Sequence, residues 1–183
     1  MRSLILAACA LALPLTAGQA APPVADKAPA KTLVLRAEGL SIVGGGLKAP
    51  QRASFEASRA SAIALVASIR GPALKSGTIE DCGSGTPMDY AKFRGGLELD
   101  FIDGKFVGWI LDETGDKTLR TVKGIGLGST RAAFKAAYPA ATIEESTLGT
   151  EYGSDDAGSG LFSSAKPNAT IASMWAGQTC IAR

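Results

Sequence analysis

Two segments punctuate this chain as helices, and the residues after each of them break into short strand-like runs. Residues 58–70, Ser-Arg-Ala-Ser-Ala-Ile-Ala-Leu-Val-Ala-Ser-Ile-Arg, carry Ile63, Val66 and Ile69 at helical spacing. Ser58 can cap the first turn, and Gly71-Pro72 ends the last. Residues 129–138 have the same design, starting at Ser129-Thr130-Arg131 and stopped by Pro139. Strand-like runs come after the first helix around Thr78–Asp81, Met88–Phe93, Leu97–Ile102 and Lys105–Leu111. Asp103-Gly104 is a hairpin signal between the last two, because both residues tolerate positive φ. After the second helix come runs near Ala141–Glu145, Gly160–Ser164 and Ala169–Ala176. Ahead of both, Thr32–Leu40 is β-like and Gly44-Gly45-Gly46 breaks it.

Helix then strands, twice, predicts an internal repeat, with repeat 1 over about 54–112 and repeat 2 over about 124–183. Ser58-Arg59-Ala60 parallels Thr130-Arg131-Ala132, Gly96-Leu97 parallels Gly160-Leu161, and Phe106–Trp109 parallels Ile171–Trp175. The fold expected is α+β: two helix-plus-antiparallel-strand repeats forming one sheet, with the helices on one face.

The residues ahead of the first strand carry an export signal. Met1-Arg2-Ser3 is a positive start, Leu4–Leu13 an apolar run, and Gly18-Gln19-Ala20 a small-x-small cleavage site, so residues 1–20 are expected to be removed. The run falls short of the roughly 20 apolar residues that a membrane span needs. Leu6-Ala7-Ala8-Cys9 also looks like a lipoprotein processing site, and a lipid anchor through Cys9 is the alternative. It would leave a signal of only a few residues and an apolar tail on the mature side. Residues 21–31, rich in Pro, Ala and charge, are expected to be a flexible tether. Residues 32–183 are then one globular domain, periplasmic or secreted.

Loss of the signal removes Arg2 and lowers the formal net charge by one from +2. A nearly neutral chain without a basic face is not a nucleic-acid binder. With Cys9 gone, Cys82 and Cys180 are the remaining thiols, and in an oxidising compartment they are expected to pair. Neither has a CxxC partner, and the chain has no histidine.

That absence excludes Ser-His-Asp and Cys-His nucleophilic sites and histidine metal ligands. Gly124-Ile125-Gly126-Leu127-Gly128 superficially resembles a dinucleotide turn, but Ser129 or Arg131 stands where its third glycine is needed. No cofactor is expected. The neighbouring carboxylates Asp100 and Asp103, Asp112 and Glu113, Glu144 and Glu145, and Asp155 and Asp156 sit beside turn residues and are expected to be solvated. Asp112–Lys117 and Ser154–Ser159 do not match the spaced calcium-loop pattern. Among the aromatics, Tyr90, Trp109 and Trp175 are the candidate partner-binding residues, since binding surfaces favour Trp and Tyr as anchors. At equivalent repeat positions, however, Trp109 and Trp175 are more economically read as two halves of one core.

The segment from Gly124 through Arg131 and Phe134 to Tyr138-Pro139 is similar to the start of helix–strand units in β-lactamase-inhibitor-protein-like folds and in small outer-membrane assembly lipoproteins. Asp81-Cys82-Gly83, Gly104–Trp109 and Trp175-Ala176-Gly177 resemble a group of uncharacterised exported bacterial proteins. The resemblance implies compartment and fold, and in the inhibitor-like fold an open sheet face that meets a partner protein. The expectation is a non-enzymatic module that binds another envelope protein. The alternative is a small secreted enzyme using carboxylate or serine chemistry.

Overall fold

The computed structural model describes residues 29–82 and 85–181. The expected signal, Cys9 and residues 21–28 of the expected tether lie outside them. The run from Thr32 divides at Ala37-Glu38 into a hairpin, β1 (Thr32–Arg36) and β2 (Gly39–Val43), and β3 (Gln51–Ser54) pairs with β2. Then come α1 (Arg59–Arg70), β4 (Lys75–Ile79), β5 (Met88–Phe93), β6 (Leu97–Ile102) and β7 (Lys105–Leu111). A two-residue strand, β8 (Arg120–Thr121), precedes α2 (Arg131–Ala137), and β9 (Thr142–Ser146), β10 (Gly149–Ser154), β11 (Gly158–Phe162) and β12 (Ile171–Gly177) complete the chain. The small sheet has the order β3-β2-β1-β8, and the eight-stranded antiparallel sheet has the order β4-β5-β6-β7-β12-β11-β10-β9.

The expected α+β arrangement, one sheet with helices over one face, is therefore incorrect. Strands make up 44% and helices 13% of the structure, in two sheets. The physical reason lies in the N-terminal residues. Leu33, Leu35, Leu40 and Ile42 alternate along β1 and β2 and are buried, so a second sheet supplies much of the cover expected from helices. The helices are minor by comparison. In α1 only Ala62 and Val66 are buried, with Ile63 and Ile69 partly so, and α2 buries Phe134.

The core lies between the small sheet, the helices and one face of the large sheet. Leu97, Leu99 and Phe101 of β6 and Trp109 and Leu111 of β7 point into it. The Trp109 indole N–H donates to the Arg36 carbonyl at 2.9 Å, joining the two sheets. Beyond β12, Phe134 packs on Tyr138, Tyr152 and Phe162 at centroid distances of 5.5, 4.2 and 5.8 Å.

The starts of α1 and α2 are built alike. Ser58 and Thr130 accept from the backbone N–H of Ser61 and Ala133 at 3.2 and 3.1 Å. The next backbone N–H, of Arg59 or Arg131, donates to the carbonyl of Gly104 or Ala169. Each arginine then lies over a phenylalanine ring, Arg59 over Phe101 at 5.3 Å and Arg131 over Phe162 at 5.7 Å.

Candidate functional site

Strand alternation gives the large sheet a second, outer face. Register aligns Tyr90, Asp100 and Gly108 across β5, β6 and β7, and Lys92, Glu98, Ile110 and Trp175 across β5, β6, β7 and β12. This face is partly roofed by the chain's own end. At Gly177, φ of 76° ends β12 in the left-handed region, and the next segment turns back across the sheet. The Gln178 N–H donates to the Val107 carbonyl at 2.8 Å, and a Cβ on Gly108 would run into the Gln178 carbonyl. Cys180 is joined to Cys82 by a disulfide with Cα atoms 5.3 Å apart, as the cysteine arithmetic predicts. The Cys82 sulfur lies 3.9 Å from that of Met88, itself buried at the end of β5.

Beneath this strap lies Asp100, with 0% of its surface exposed and no hydrogen-bond partner for either oxygen. Burial, and next the charge of Glu98, push its carboxyl up to about 8. The Cys180 backbone N–H and the Lys92 ammonium oppose the shift, close enough to weigh on the charge though no hydrogen bond is completed. Asp100 is thus a neutral acid at neutral pH. Glu98, two residues away on the same face, forms an ion pair with Lys92 at 2.8 Å, and this bond raises the lysine's pKa. Lys92 and Lys75 both approach the Tyr90 ring, at 5.6 and 5.9 Å.

Past the strap the outer face opens into an apolar groove of about 530 Å³. Ile110, Leu148, Leu161, Trp175 and Ile181 line it, with the exposed carboxylates Asp112 and Glu113 at its rim.

The three aromatics proposed from sequence do not share this site. Tyr90 is half-buried on the outer face beside the two lysines. Trp175 lines the groove but is only 6% exposed. Trp109 must be withdrawn as a partner-binding residue, because it is wholly buried in the core. Register pairs Trp109 with Ala176 and Trp175 with Ile110, so the two indoles lie on opposite faces. The same register corrects the reading of the two tryptophans as matching halves of one core.

Sequence reasoning missed Asp100 by reading it as a solvated turn residue. The signal was present: Leu97-Glu98-Leu99-Asp100-Phe101 alternates with period 2, which puts both carboxyls on one face of a strand. Among the described residues, no group of three or more His, Cys, Asp or Glu could hold a metal ion, and no helix is long and apolar enough to cross a membrane. No protein-family model, curated protein or solved structure matches this chain.

Proposed function

We propose that the chain is an exported, non-enzymatic binding module that holds an extended apolar segment of a partner envelope protein, with a basic residue at one end of that segment. The observation that carries this is the outer-face groove, where Ile110, Leu161 and Trp175 form an apolar floor beside Asp112 and Glu113. An extended segment lays alternate side chains onto such a floor, and a basic end meets the acidic rim. The Cys82–Cys180 bridge fits an oxidising compartment such as the periplasm or the cell exterior. Carboxylate catalysis has a weaker case. Asp100 has the raised pKa of a general acid only while it is buried, and in that state it has no exposed surface for a substrate to reach.

Labelled decapeptides of alternating apolar residues, ending in either two lysines or two glutamates, test the proposal by fluorescence anisotropy. The lysine set is expected to bind, and Leu161→Asp, which puts a charge on the groove floor, to weaken it at least about tenfold, a loss on the scale of an interface anchor. Equal binding of both sets, or full binding by Leu161→Asp, overturns the reading.

A further inference from the structure

We propose that Gln178–Ile181 is a pH-sensitive strap, seated on the outer sheet face while Asp100 beneath it is a neutral acid and released as that acid ionises. Asp100 stands on the face away from the core, so its complete burial comes from the strap and its neighbours on that face. Gly108, its register partner on β7, has the Gln178 carbonyl lying against it. Neither Asp100 oxygen completes a hydrogen bond, and the Cys180 N–H and the Lys92 ammonium offset its charge less than burial and Glu98 oppose it, so an anion formed under the strap would be poorly compensated. Such a charge is costly, and lifting the strap to admit water relieves it.

The groups that face Asp100 supply little counter-charge. Its own strand contributes Glu98, which repels an anion. From β5 come Tyr90, directly opposite, and Lys92, already held by Glu98 at 2.8 Å. From β7 comes only Gly108, and the strap offers Gln178, Thr179 and the disulfide-bonded Cys180, none of which titrates.

The direction of the pH dependence is set by the two states. With the strap seated, the carboxyl stays protonated up to about 8; with the strap lifted, it returns toward the ordinary 3.8. Opening therefore releases one proton between those limits and gains about tenfold per pH unit, levelling off outside them. The strap is firmest in acid and loosens through neutrality. Ile181 lines both the open groove and the smaller pocket of about 280 Å³ among Cys82, Met88, Trp175 and Thr179. If the groove is the binding site, the strap regulates it; the strap's own motion does not depend on that reading.

Hydrogen exchange on the oxidised full-length protein, with no partner present, reads the strap at the Gln178 amide. After division by the intrinsic exchange rate, its protection is expected to fall about tenfold per pH unit between about pH 5 and 7. Asp100→Asn, which mimics the neutral acid, should make the protection level. Glu98→Gln removes a neighbouring negative charge and should bring the upper limit of the slope to lower pH. Level protection in the parent protein, or an undiminished slope in Asp100→Asn, overturns the strap. Lysine-ended peptide binding alongside level protection overturns the strap alone, and sloping protection without peptide binding overturns the groove reading alone.

Discussion

Tyr152 is wholly buried between Phe134 and Phe162, with ring centroids at 4.2 and 5.4 Å, and its hydroxyl has no hydrogen-bond partner. Burial drives the phenol pKa well above its usual value, so the group stays neutral. Gly160, its register partner on β11, makes the space: a Cβ there would collide with the hydroxyl. A buried hydroxyl without a partner costs about 1–3 kcal/mol of desolvation, and the void left by deleting one oxygen returns part of that. Tyr152→Phe is therefore expected to raise stability by about 1 kcal/mol, measured as a higher urea midpoint at unchanged slope. A drop in the midpoint would show that the hydroxyl is satisfied. Asp100 differs in that its cost varies with pH, and a group of that kind can drive a conformational change. Neither burial was legible residue by residue. In both cases the cover comes from chain distant in sequence, α2 over Tyr152 and the strap over Asp100.

The elements that the sequence made legible are those whose own residues decide their structure. β5, β6 and β7 lie at the predicted positions because apolar residues alternate along them and Asp103-Gly104 turns the chain, with φ of 50° and 71°. β3 (Gln-Arg-Ala-Ser) and β10 (Gly-Thr-Glu-Tyr-Gly-Ser) carry no such pattern. Each becomes a strand because a neighbouring strand offers a free edge, β2 to β3 and β9 and β11 to β10. The helix starts were legible for a local reason, the capping Ser58 and Thr130. For α2 that cap matters more than its one bond suggests. A seven-residue helix is far too short to persist alone, so it depends on its N-cap and on Phe134. Thr130→Ala is expected to cost about 1 kcal/mol in urea unfolding, and Ser58→Ala about the same. Losses within experimental error of zero would show that docking to the sheet, rather than capping, sets where these helices begin.

Across the whole molecule, the sequence identified the Cys82–Cys180 constraint and misjudged the layering around it. Once residues 1–20 are read as an export signal, two cysteines remain and allow a single pairing, so Cys82–Cys180 was readable without any knowledge of the sheets. What the pairing joins was not readable. It ties the loop before β5 to the segment after β12, across the outer face of a sheet whose other face is covered by the small sheet and the two helices. The bridge spans a sequence separation of 98, so it removes a large closed loop's worth of freedom from the unfolded chain. For a loop of about 100 residues the chain-entropy model gives about 4.7 kcal/mol. Replacing both cysteines by serine is expected to lower stability by about 3–5 kcal/mol and to steepen the urea dependence, because the unfolded chain then expands and exposes more surface. Comparing the variant with the reduced parent protein separates the covalent effect from the cost of two hydroxyls beside Met88. A reduced parent that matches the variant in both midpoint and slope assigns the loss to the covalent bond. A reduced parent as stable as the oxidised one would mean that the strap is held without the bridge, by the Gln178–Val107 hydrogen bond and its packing on Gly108.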